Sequence, residues 1–225
     1  MPTTTTRTVA ATAALAAVGL RLLSILTWPP DSDASHARML ATAGAHPAAW
    51  NTATWAEVLC WTSAGFAVLT ALWLVDRRGF WLTRIGGWWY GVSLVVLGIM
   101  GGAMNAVTGV LAHQPGPHAM VTVIDDLHSA GSLLPFVAIV LLGELFAVPF
   151  AFGLLRAGLV GAWFPVATIL AIVGYVATSD SSNHLVVLAG FVPLAATWLG
   201  LARALNAVKS PDLAVHPASP VGTVA

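Results

Sequence analysis

Six apolar runs constrain this chain more than any other feature. They fall at about residues 8–28, 55–75, 88–113, 132–155, 159–178 and 184–205. Each is near or above the roughly 20 residues a helix needs to cross the hydrocarbon core of a bilayer. Backbone placed in hydrocarbon must satisfy its own hydrogen bonds, which an α-helix does within one segment. The expected fold is therefore all-α: a polytopic transmembrane bundle of six spans in a single domain, residues 1–207, followed by a disordered cytoplasmic tail, residues 208–225. Composition agrees. Of 225 residues, 58% are hydrophobic and 8% charged, whereas a soluble domain carries about 25% charge. The first run follows Arg7 and is rich in alanine, as a secretory signal would be. It continues past Arg21 through LLSILTW, longer than an h-region of about 7–15 residues, and so reads as a span.

Lys and Arg set the expected orientation. The stretch DRRGFWLTRI at Asp76–Ile85 holds three arginines, the next short connection holds Arg156, and the tail region holds Arg203 and Lys209. The connections His113–Gly131 and Ser179–Asn183 hold none, and the first connection sets Arg38 against Asp31 and Asp33. Both termini are expected in the cytoplasm, with three connections outside and the plasma membrane as the location. The long first outer connection opens with Pro29-Pro30 and has room for a short interfacial helix. A formal net charge of zero gives no reason to expect a nucleic-acid partner. The one cysteine, Cys60, excludes an intramolecular disulfide and any multi-cysteine site, and its apolar surroundings mark it as a small buried hydrophobe.

Ionisable groups inside spans are costly and default to functional candidates. Arg21, Glu57 and Glu144 are the three. Asn105 and Thr108 in the third run, Tyr175 and Thr178 in the fifth, and Asn183 and His184 at the start of the sixth add polar groups. On the expected topology nearly all of these fall in the outer half, which suggests an outward-opening polar chamber with Glu144 as its floor. A structural ion pair between Arg21 and Glu57 or Glu144 accounts for those residues equally well.

At the mouth of that chamber lies VTVIDDLHSAG, Val121–Gly131. Asp126 is placed to cap the fourth span. Asp125 and His128, at i and i+3, suit an acid–base pair, in which the Asp holds the imidazole tautomer. His113, His118, His128 and His184 share the outer side, but no HxxxH or HExxH spacing is present, so neither a metal nor a cofactor is expected. No histidine pair sits within facing spans, as haem ligation would need.

Ten tryptophans punctuate the chain. Trp28, Trp50 and Trp55 suit the outer interface, and Trp73, Trp81, Trp88, Trp89, Trp163 and Trp198 the inner one. Trp61 differs, lying one helical turn from Glu57 on the same face. His184, Phe191 and Trp198 likewise share a face. Acids beside aromatic rings can protonate an apolar substrate and stabilise the cation that results, at about 0.5–2 kcal/mol per ring. Pro135, Pro149, Pro165 and Pro193 each remove a backbone donor within a run. Gly98 and Gly102 form a GxxxG suited to close helix packing. The turns LVDRRGFWLTRIGGWW and LLRAGLVGAWFP both place Arg and Gly before Trp, a faint sign of a parallel repeat.

The alanine–leucine-rich spans, Ala45-His46-Pro47 in the first outer connection, and LLRAGLVGAWFP at Leu154–Pro165 together resemble a broad set of multi-pass membrane proteins of high-GC actinobacteria. In length and in its intramembrane carboxylates the chain also resembles the small membrane-bound terpene cyclases, which protonate an isoprenoid olefin or epoxide. That resemblance implies Glu57, with Asp125, Asp126 or Glu144, as the carboxylates in play. Six spans stand here where that family often has seven. The metal motif DDxxD of soluble terpene synthases is absent, because Leu127-His128-Ser129 follows Asp125-Asp126.

The expectation is an integral membrane enzyme that cyclises or isomerises a lipophilic isoprenoid by proton transfer. Glu57, Asp125, Asp126, His128 and Glu144 are its catalytic candidates. Trp61, Asn105, Tyr175, His184, Phe191 and Arg21 would line the substrate, and the bilayer and that substrate are its partners. The alternatives are a small proton-coupled transporter and a non-catalytic membrane assembly partner.

Overall fold

The computed structural model describes residues 3–29, 35–129, 131–178, 181 and 183–207. In chain order its helices are α1 (Thr4–Thr27), α2 (His36–Ala45), α3 (Pro47–Ala71), α4 (Phe80–Leu111), α5 (Pro117–Ser129), α6 (Leu134–Arg156), α7 (Trp163–Thr178) and α8 (His184–Ala207), with single 3-10 turns at Leu72–Leu74 and Gly131–Leu133. Residues 208–225, expected to form a disordered tail, lie outside the described residues.

Five helices, α1, α3, α4, α6 and α8, are long and apolar enough to cross a membrane. The 16 residues of α7 are apolar, but they rise only about 24 Å, short of a hydrocarbon core of about 30 Å. The chain is a multi-pass membrane protein by this measure. The helices close into a ring: α1 packs on α3, α3 on α4, α4 on α6, α6 on α7, α7 on α8, and α8 back on α1. Outward-facing Leu26, Leu141, Leu145 and Val192 stay exposed, as side chains facing lipid do.

Small side chains set the helix spacing. Ala10, Ala14 and Ala17 line the buried face of α1. The GxxxG of α4 meets α3, with Gly98 against Trp61 and Val58 and Gly102 against Val58. Without a hydrophobic drive between helices in lipid, such close backbone approach supplies the packing energy. Hydroxyls within the spans bond backwards to backbone, as Thr62 Oγ1 does to the Val58 oxygen at 2.7 Å and Thr168 Oγ1 to the Phe164 oxygen at 2.9 Å. Of the four prolines in the runs, Pro149 and Pro193 lie inside helices, whereas Pro135 opens α6 and Pro165 lies in the first turn of α7.

The two ends of the bundle are built differently. At one end short turns join the turn after Leu74 to α4 and α6 to α7. At the other, α2 and α5 pack on each other, and α2 also packs on α4. The first long connection thus holds the short helix it has room for, capped by Ser35 Oγ, which accepts from the Arg38 amide at 3.3 Å. α3 starts at Pro47, well before the run at about residue 55, because Pro47 occupies a first-turn position where no amide is needed. VTVIDDLHSAG also departs from expectation. Asp125, Asp126 and His128 lie inside α5, and α6 starts after Leu133 with no side-chain cap. Asp126 therefore does not cap the fourth span.

Candidate functional site

Burying a cation inside a helix bundle calls for a counter-ion, and the fold supplies one. Arg21 of α1 donates Nη1–H to Glu57 Oε1 of α3 at 2.7 Å, with side-chain exposures of 13% and 20%. Trp61, one turn along α3, donates Nε1–H to the same oxygen at 3.3 Å. The Arg21 guanidinium also lies over the Trp61 ring, 5.3 Å from its centroid. One carboxylate oxygen thus receives two donors, and the cation is held by both a charge and an aromatic face. Of the two expected partners for Arg21, the structure selects Glu57.

Aromatic rings continue from this pair into the core. Trp61 meets Tyr175 edge-on at 5.5 Å and Trp198 at 5.6 Å, and Trp198 meets Phe191 at 6.3 Å. Four helices, α1, α3, α7 and α8, therefore contribute to one constellation: Arg21, Glu57, Trp61, Tyr175, Phe191 and Trp198. Trp198 is fully buried, so it is a core residue and not part of an inner belt. Trp50 is also buried, donating Nε1–H to the Asn105 backbone oxygen at 2.8 Å and packing 5.1 Å from Trp28. Trp55, Trp73, Trp81, Trp88 and Trp163 remain exposed as belt residues should.

Glu144 of α6 is the second carboxyl at membrane depth. It lies within electrostatic reach of Tyr90 and Tyr175, and Tyr175 is also within reach of Arg21 and Glu57. Glu144 has neither an ion pair nor a hydrogen bond among the described residues. The two carboxyls thus occupy unlike settings, one clamped by a cation and an indole, the other without a partner.

Free space beside the pair is small. A crevice lined by Arg21, Tyr175, Gly190 and Phe191 has a volume of about 10 Å³, roughly that of one water probe. A separate open groove of about 370 Å³ runs along α1 and α3, lined by Leu20, Leu23, Asn51, Trp55, Ala56 and Leu59. The expected outward-opening polar chamber corresponds here to this small crevice beside the pair, with a separate groove on α1 and α3.

The remaining candidates stand apart from this centre. Asp125 bonds through Oδ1 to Nδ1 of His36 on α2, and the His36 ring stacks on His128 at 4.6 Å and 28°. His128 Nδ1–H donates to the Ile124 backbone oxygen at 2.9 Å, which fixes that proton. Asp125 and His128 do share one cluster, but through His36, which spacing alone could not have found because it lies 89 residues from Asp125. Asp126 is exposed and its carboxylate makes no bond among the described residues. Asn183 caps α8, accepting from the Leu185 amide at 2.9 Å, and leaves His184 half-buried at the helix start. Asn105 meets Trp50 through its backbone only. Among the described residues no three His, Cys, Asp or Glu side chains form a metal-holding group.

No protein-family model matches this chain, and neither does any curated protein or solved structure.

Proposed function

We propose that the chain is a plasma-membrane enzyme that isomerises or cyclises a lipophilic, isoprenoid-type molecule by proton transfer at the Arg21–Glu57 centre. In this reading α7 is the fifth of six spans and both termini are cytoplasmic, in keeping with the arginines of the turn end. The observation that carries the proposal is the pair of unlike carboxyls. Glu57 is held by Arg21 and Trp61, and Glu144 has no partner. A proton acceptor needs a compensated negative charge, and a donor needs none, so two environments of this kind separate the two roles.

Glu144 gives its proton to an olefin carbon or epoxide oxygen, and the carbocation forms inside the substrate. Trp61, Tyr175, Phe191 and Trp198 offer ring faces to that cation. Glu57 then takes a proton from a neighbouring carbon, which restores a double bond. Composition is unchanged, and proton exchange between the carboxyls and water resets the centre. The groove beside α1 and α3 is within the size range of small-molecule sites and offers a route from the bilayer. Tightness of the inner crevice requires the helices to part on binding.

The catalytic assignment therefore narrows to Glu57 and Glu144. Asp125, Asp126 and His128 belong to the α2–α5 cap. The test is expression in a host that makes farnesyl-type precursors, with lipid-soluble metabolites compared by mass spectrometry. A new isomeric product that disappears in Glu57→Gln and in Glu144→Gln supports the reading. A product profile identical to that of the empty host removes its support.

The crevice of about 10 Å³ favours a second reading, in which only protons or water reach the pair and the chain is a small proton-coupled transporter. Proteoliposomes under an imposed pH gradient discriminate: a proton flux abolished by Glu57→Gln selects the carrier, and a flat signal excludes it.

A further inference from the structure

At the turn end, a hollow of about 480 Å³ opens between two interhelical turns. The first turn runs from Leu74 through Asp76, Arg77 and Arg78 into α4 at Gly79, whose φ is 82°. The second closes α6: the Gly158 amide donates to the Leu155 oxygen at 2.9 Å and the Leu159 amide to the Leu154 oxygen at 3.1 Å, with Gly158 at φ 74°. This is a Schellman closure, which needs a left-handed residue that glycine adopts without strain. The two turns that look alike in sequence thus meet in space and line one opening.

Three arginines, Arg77, Arg78 and Arg156, are among the residues that line it, against a single acidic residue, Asp76. None of the three is ion-paired, since the ion pairs among the described residues are Arg21–Glu57 and His36–Asp125. Nearby Arg84 is occupied differently, its guanidinium lying 4.2 Å from the Trp73 ring centroid and 5.0 Å from that of Phe80. α4 begins at Phe80 with no side-chain cap, so its first amides add positive partial charge at the same turn.

Unpaired guanidiniums around a hollow of this size match the charge and fork geometry of a phosphate group. The hollow lies at the ends of membrane-spanning helices, and exposed Trp73, Trp81 and Trp163 stand on the same elements, residues that favour the headgroup level. We infer that this hollow holds the phosphate of an anionic phospholipid, with Arg77, Arg78 and Arg156 as donors. Free inorganic phosphate presents the same oxygens but no acyl chains to the adjoining lipid-facing surface, and the tryptophan setting selects the lipid.

The test is native mass spectrometry of the full chain in detergent, titrated with phosphatidylglycerol. Wild type is expected to retain one phosphatidylglycerol that excess inorganic phosphate does not displace, and to hold phosphatidylcholine more weakly. The double variant Arg78→Gln, Arg156→Gln should bind about tenfold more weakly, and the corresponding Lys variants should recover part of the loss. Arg203→Gln, exposed on α8 and outside the hollow, should bind as wild type. Thermal unfolding of each variant confirms that it is folded, and the single exposed change Arg77→Gln serves if the double variant is not. Equal lipid retention by wild type and hollow variants, or an equal loss in Arg203→Gln, overturns the site. Displacement of the lipid by inorganic phosphate overturns the lipid assignment.

Discussion

Among the described residues, two inter-helix pairs of similar chemistry sit in opposite surroundings. Arg21–Glu57 ties α1 to α3 with side chains 13% and 20% exposed, whereas His36–Asp125 ties α2 to α5 with side chains 34% and 58% exposed. The first sits among Trp61, Tyr175 and the buried core, and the second sits on a cap that water reaches. A carboxylate that water can solvate does without its partner at little cost, and one in a helix bundle does not. The same pairing is therefore a fastener at the cap and a structural and chemical commitment at the centre. That contrast is why the catalytic reading rests on Glu57 and not on Asp125.

The sharpest way to break the contrast is to remove one partner of each pair. Glu57→Ala leaves the Arg21 guanidinium without a counter-ion, and a loss of about 3–5 kcal/mol is expected, read as a large fall in Tm in detergent. The double change Arg21→Met, Glu57→Leu should recover most of that loss, because an apolar pair carries no desolvation cost. A single variant as stable as wild type would mean that water already reaches the centre. Next in size is Gly102→Val. A Cβ there meets Val58 at the α3–α4 seam that carries Glu57 and Trp61, and overpacking should cost about 1–3 kcal/mol, again read by Tm. At the cap, His36→Gln should cost no more than about 1 kcal/mol, with faster amide exchange confined to α2 and α5. The smallest effect is expected from Asp126→Asn, at an exposed carboxylate with no partner among the described residues, whose stability should stay within about 0.5 kcal/mol of wild type, read by Tm.

Much of this centre was legible in the chain because membrane depth makes polar residues conspicuous. Arg21, Glu57, Trp61, Tyr175 and Phe191 stand out against apolar runs, and all five converge. The i,i+4 spacing of Glu57 and Trp61 places them on one face, as their hydrogen bond shows. Pairing between helices was not legible. Nothing local says that Arg21 chooses Glu57 over Glu144, or that His36 reaches Asp125 across 89 residues. Trp198 read as a belt residue because it lies near the end of its run, but its ring turns inward against Trp61. The connection His113–Gly131 gives little local sign of α5, because its polar residues mask a helix that starts at Pro117. Beside the pair, large aromatic side chains occupy much of the space that a list of polar residues leaves open.

We propose that proton transfer belongs to the buried pair and not to the cap. The direct measurement is turnover of a farnesyl-type probe by purified protein in D2O, comparing wild type, Glu57→Gln and His36→Gln and following deuterium in the product by mass spectrometry. The account predicts an isomeric product carrying one deuterium from wild type and from His36→Gln, and none from Glu57→Gln. Product formation unchanged in Glu57→Gln, or abolished in a folded His36→Gln, would contradict it.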